Sequence, residues 1–204
     1  MTHLLVVAIA ALIPLQEPAK PKPAKDWLWL FSLDDVDENS LAEWRKLSES
    51  VPLLQADFEA IMNDPKCNPE HLSGLYGLLG ATKVDRKRFL KAASRDLNHD
   101  DATVRRLAAG FVGRADAGPE FAAPLMMLML YDPKAEVSIA AREALGKVGD
   151  ASTVVALEHL IRFGTGQPDT PPRNKLLAEA FVVTRDQIKA RLAAAAKAAP
   201  VPPR

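Results

Sequence analysis

At 204 residues, 48% of them apolar, the chain has enough material for one domain or one short repeat array with a continuous core. Its 26 basic and 26 acidic side chains cancel, which excludes a global attraction to nucleic acid or anionic membrane. One cysteine excludes an internal disulfide framework and any multi-cysteine metal site.

The first element in chain order is an apolar run of 12 residues, Leu4 to Leu15, interrupted only by Pro14. A bilayer span needs about 20 residues, so the run is too short for stable membrane insertion and reads as the apolar core of an export signal over residues 1–18. Export, to a periplasm or to the medium, is therefore the expected localisation. Residues 19–25 read as a Pro/Lys-rich linker, because proline at every second or third position removes the backbone donors a helix or ladder needs. Residues 199–204 read as its C-terminal counterpart and are expected to be a disordered tail.

Trp27-Leu-Trp-Leu-Phe31 alternates aromatic and aliphatic residues, the pattern of a strand, and is expected to lay Trp27, Trp29 and Phe31 over an otherwise open first hairpin. Asp34-Asp-Val-Asp-Glu-Asn-Ser40 has alternating oxygen ligands like a calcium loop. It carries Ser40 where that loop needs Gly and Lys46 where it needs a carboxylate, so it reads instead as acidic residues favoured before a helix start. Beyond it, apolar spacings of three and four predict helices over 41–50, 53–63, 69–79, 85–97, 102–112, 120–131, 135–145, 151–162, 173–183 and 185–197. Capping boxes are expected at Ser40-Leu-Ala-Glu43 and Thr184-Arg-Asp-Gln187.

These helices pair into about five antiparallel hairpins, and a register runs through them. Gly80, Gly113 and Gly146 lie 33 residues apart, each after an apolar residue, with Leu75, Ala108 and Ala141 at one common phase and Leu78, Phe111 and Ala144 at another. The glycines are expected just past helix ends, in the left-handed conformation. A hairpin of this length cannot bury its apolar stripe alone, so neighbours must stack and the terminal pairs must be caps.

Val104-Arg105, Ala108-Ala109, Val112-Gly113, Pro124-Leu125, Asp132, Val137, Ala140-Ala141, Ala144-Leu145-Gly146 and Gly149-Asp150 together resemble HEAT repeats, in the short bacterial form also found in phycobilisome-lyase-like proteins. The resemblance is good over residues 99–163 and faint over 66–98. It departs at Ser138, where an Arg often follows the Val, and at the insertion from Gly164 to Pro172. It implies an all-α chain, an α-solenoid coiled as a right-handed superhelix, whose second helices line a concave face and hold another protein. The organisation that follows is an acidic capping segment with the first helix pair over 26–64, HEAT-like repeats over 65–163 and a C-terminal capping pair over 164–198.

Candidate sites are few. Cys67 is expected to be solvent-facing, and no family signature surrounds its prospective bases beyond the export signal, His71, His99 and His159. No phosphate-binding loop, dinucleotide motif, nucleophile elbow or zinc-protease motif occurs. Residues 26–64 carry ten acids against two bases, and 65–114 ten bases against five acids, so the charge is polarised. On a helix over 85–97, Lys87, Arg88, Lys91 and Arg95 would share one face, a basic surface for an acidic partner, a counterweight to the acidic first hairpin, or simply a solvated face. The helix over 120–131 is apolar all round; it reads as core, or as an adaptable groove through Met126, Met127 and Leu130. The expected function is an exported, non-catalytic scaffold that holds another protein without a cofactor, with no role in nucleic-acid binding. The alternative is an enzyme subunit similar to the phycobilin lyases, handling a tetrapyrrole.

Overall fold

The computed structural model describes residues 22–32, 37–165 and 172–198. The expected export signal, most of the linker, Asp34 and Asp35, most of the 164–172 insertion and the C-terminal tail lie outside the described residues.

All regular structure among the described residues is helical. A 3₁₀ segment, Ala24–Ser32, precedes α1 (Glu38–Ser50), α2 (Gln55–Asn63), α3 (Pro69–Ala81), α4 (Leu90–Asp96), α5 (Ala102–Val112), α6 (Ala122–Tyr131), α7 (Ala135–Val148), α8 (Ala151–Thr165) and α9 (Pro172–Ala198). Single 3₁₀ turns, Arg86–Phe89 and Pro119–Phe121, lead into α4 and α6. Short polar side chains start α1, α3 and α5: Asp37, Asn68 and Asp101 each accept a backbone N–H of the first turn, from Ser40, Glu70 and Thr103 respectively.

α3, α5, α7 and α9 pack against one another in succession, with α4 against α5, α6 against α7 and α8 against α9. The six residues at the two common phases, Leu75, Ala108, Ala141, Leu78, Phe111 and Ala144, are all buried. Tyr76 and Phe89 pack on Phe111 with ring centroids 5.4 and 6.3 Å away, joining α3, the turn before α4, and α5.

Four sequence-based expectations are corrected. The Trp27 segment is not strand-like but 3₁₀, and its buried residues, Ala24, Trp27 and Leu30, recur every third position, the period at which 3₁₀ side chains eclipse. Trp27 and Phe31 do cover the first hairpin, Phe31 edge-on to Trp44 at 5.1 Å, whereas Trp29 is half-exposed. Ser40 is not an N-cap: Asp37 takes that role three residues earlier, its Oδ1 accepting from both the N–H and the hydroxyl of Ser40. The expected C-terminal pair is one continuous helix of 27 residues, α9. Thr184 is fully buried inside it and donates its hydroxyl to the carbonyl of Ala180, so the residue read as a cap satisfies itself one turn back.

The fourth correction concerns the glycines, none of which has positive φ among the described residues. Gly80 and Gly146 lie inside α3 and α7, and Gly113 ends α5 at φ −65°. Each of them faces a side chain or backbone of a later element. A Cβ on Gly80 would meet the Arg114 guanidinium at 2.8 Å, on Gly113 the Ala144 Cα at 2.9 Å, and on Gly146 the Gln187 Oε1 at 2.7 Å.

Asp150 begins the chain's entry to α8. Hydrogen bonds from the Ser152 hydroxyl, then the Thr153 N–H and hydroxyl, hold its carboxyl down to about 2 from an ordinary 3.8. A depressed folded-state pKa means stabilisation that is complete above the ordinary value and is lost as pH falls through the folded one. Asp150→Asn, which retains a capping oxygen, is expected to flatten the fall in stability between about pH 4 and 2, read by urea unfolding at each pH.

Candidate functional site

The region built around α6 begins with its composition. A helix apolar on every side should be covered all round, yet among the described residues its main cover is α7, on one side. Leu125 and Met129, one turn apart, are buried in the core. Met127 and Tyr131, one turn apart on the other side, are 58% and 71% exposed, and Met126, Leu128 and Leu130 are half-buried. The expected all-round core helix is therefore core on one side and open on the other.

Two cavities flank it. One of about 560 Å³ lies between α6, α7 and α9, lined chiefly by Leu130, Pro133, Ile139, Arg142, Leu176 and Leu177. The other, about 720 Å³, lies toward the loop between α4 and α5, with His99, Pro124, Met127, Leu128 and Tyr131 on its walls. Asp132 and Pro133 line both. Volumes of this order and a predominantly apolar lining are those of binding grooves. Of the residues expected from sequence to make an apolar groove, Leu130 lines the first cavity and Met127 the second, whereas Met126 lines neither.

The junction of the two is rigid. Arg105 donates to Asp132 with both arms of its fork, Nε at 2.7 Å and Nη2 at 3.1 Å, and Nη1 donates to the carbonyls of His99 and Asp100 at 2.8 Å each. The Lys134 N–H also donates to Asp132. Burial alone would raise the Asp132 carboxyl, but the Arg105 guanidinium and the Lys134 N–H outweigh it and hold the group below its ordinary range. One nearly buried ion pair thus ties α5, the α4–α5 loop and the α6–α7 turn together.

The expected basic face is not one open patch. Residues 86–89 turn as a 3₁₀ helix, so 100° per residue does not hold across the segment. Arg88 pairs with Glu59 of α2 at 2.9 Å, and Arg95 donates to the Met62 carbonyl at 2.7 Å and to Asp96 at 2.6 Å. Both arginines therefore bind the first hairpin, one of the uses expected of this charge. Lys87 and Lys91 are exposed, without an ion pair among the described residues. Asp96 is fully buried, and Tyr76 donates to it at 2.7 Å; burial and that carboxylate keep the Tyr76 hydroxyl protonated at any ordinary pH. Replacing Arg95 by Gln is expected to cost about 1.5 kcal/mol in urea unfolding, while Lys87→Glu and Lys91→Glu stay within about 0.5 kcal/mol.

Cys67, expected to face solvent, is half-buried in a cavity of about 300 Å³ shared with Asp64, Arg95, Asp96 and His99. Burial, then the Asp64 carboxylate, push its thiol above the ordinary value, away from the thiolate. The Nδ1 of His99 accepts from the Asp101 N–H at 3.0 Å. His159 instead lies tilted against Phe163, 4.4 Å between centroids.

Sequence reading missed Ile139, Arg142, Leu176 and Leu177. Ala135, Ser138, Ile139 and Arg142 do stand at helical spacing on one stripe of α7, but nothing local says that α9 will lie beside it. Comparison of the chain with known protein families, with curated proteins and with solved structures returned no match.

Proposed function

We propose that the chain is an exported, non-catalytic scaffold of HEAT-like helix pairs, an α-solenoid, that holds a segment of another protein against the open side of α6. The observation that carries this reading is the exposed apolar surface of Met127, Tyr131 and Ile139 on two cavities that share a rigid junction. Contiguous apolar surface of this kind marks interaction sites on soluble proteins. The repeat architecture is supported by the succession α3, α5, α7, α9 and by glycines 33 residues apart, each set against a side chain or backbone of a later element.

Introducing a carboxylate at an apolar anchor desolvates a charge against the partner. Met127→Glu, Tyr131→Glu and Ile139→Glu are each expected to weaken association with the natural partner by about thirtyfold, the loss that an anchor of about 2 kcal/mol implies. Lys87→Glu with Lys91→Glu should leave it unchanged. Affinity of the partner co-isolated from the native host decides the matter: loss in the lysine variant alone would move the interaction to the basic surface.

A further inference from the structure

The cavity between α6, α7 and α9 holds three polar side chains, and two are already engaged. Asp132 is satisfied by Arg105 and by the Lys134 N–H, and the Ser138 hydroxyl donates to the Leu128 carbonyl at 3.3 Å. The third, Arg142, is half-buried and makes no hydrogen bond or ion pair among the described residues. Around it lie Leu130, Pro133, Ile139, Leu176 and Leu177. A guanidinium is obligately charged and carries five donors in a planar fork that matches a carboxylate. Half out of water and among apolar walls, it finds among the described residues no acceptor for that fork.

The shape of the cavity narrows the occupant. Its α7 wall is the stripe Ala135, Ser138, Ile139 and Arg142, and its α9 wall is Leu176, Leu177 and Ala180, so two roughly helical ridges face an open groove. A third helix laid between them would set its own ridge against both. We infer that this groove receives an amphipathic helix of the partner, whose apolar residues cover Ile139 and Leu176 and whose acidic side chain pairs with Arg142. The inference rests on the scaffold reading and adds to it the chemistry that selects the partner. An acidic residue is favoured through charge-assisted hydrogen bonds, and a basic one at the same position is opposed by repulsion in a partly desolvated site.

The test uses the full chain and three fluorescein-labelled helical probe peptides of one sequence, with leucines at i, i+3, i+4 and i+7 and Glu, Gln or Lys at a single flanking position. Fluorescence anisotropy is expected to show the Glu probe binding the wild-type chain about tenfold more tightly than the Gln probe, the value of one charge-assisted pair. Arg142→Gln should remove that preference, and Arg142→Glu should turn it toward the Lys probe. Equal binding of the Glu and Gln probes to wild type, or a preference that survives Arg142→Gln, overturns the inference, as does binding of none of the probes. Failure of the underlying scaffold reading shows elsewhere, as unchanged partner affinity in Met127→Glu, Tyr131→Glu and Ile139→Glu.

Discussion

Asp132→Ala is expected to destabilise the fold by about 3–5 kcal/mol, because it leaves the Arg105 charge in a nearly buried position without its acceptor. The Arg105 side chain is only 13% exposed and Asp132 2%, so water cannot take over the pairing. Two carbonyls of the α4–α5 loop would remain on Nη1, but Nε and Nη2 would lose the partners they reach at 2.7 and 3.1 Å. The double variant Arg105→Met with Asp132→Leu should recover most of the loss, since a buried pair replaced by apolar side chains of similar size is often neutral. Urea unfolding of the single and double variants measures both. If the double variant were as unstable as the single, the region would depend on the charges themselves. The low pKa of Asp132 adds a sign: its contribution is complete above its ordinary range and fades as acid protonates it, so Asp132→Ala should cost less near pH 2 than at pH 7.

Gly113→Leu is the second large effect, about 3 kcal/mol, with Gly113→Ala at about 1–2 kcal/mol. A Cβ at Gly113 would lie 2.9 Å from the Cα and 3.1 Å from the Cβ of Ala144, so α5 and α7 would have to separate. At Gly80 and Gly146 the atoms met belong to the far ends of Arg114 and Gln187, which can swing aside. Both of those positions are within helices, where alanine is favoured over glycine by about 0.5–1 kcal/mol. Gly80→Ala and Gly146→Ala should therefore be neutral or stabilising. Thermal unfolding of the three alanine variants separates them, and equal destabilisation of all three would mean that the register reflects something other than this one close approach.

The same glycines mark how far sequence alone reached. Their spacing was legible in the sequence itself, but whether a glycine serves a turn or, as at Gly113, a close helix crossing depends on the neighbour. α5 was legible to the residue, since Asp101 caps it and its apolar face is regular. Trp27-Leu-Trp-Leu-Phe31 was not, because in five residues an aromatic alternation fits period two as well as the period three that Ala24, Trp27 and Leu30 reveal. Thr184 looked like a cap because hydroxyl residues prefer caps; inside α9 it bonds the Ala180 carbonyl, which local sequence does not distinguish. Arg88 and Arg95 were visible as charges, but their partners Glu59 and the Met62 carbonyl are 29 and 33 residues away. The groove was half legible. Leu130 of this groove and Met127 of the neighbouring cavity stood out by composition, whereas Ile139 and Arg142 face Leu176 only when α9 lies on α7.

The scaffold reading meets its most direct test in site-specific photocrosslinking in the native host. A photoreactive residue would replace Ile139, Met127 or Lys91 in turn, three exposed positions that report on the two cavities and on the basic surface. The account predicts a discrete adduct with one and the same protein from Ile139 and Met127, and none from Lys91. Adducts from Lys91 alone, or from none of the three, would contradict it.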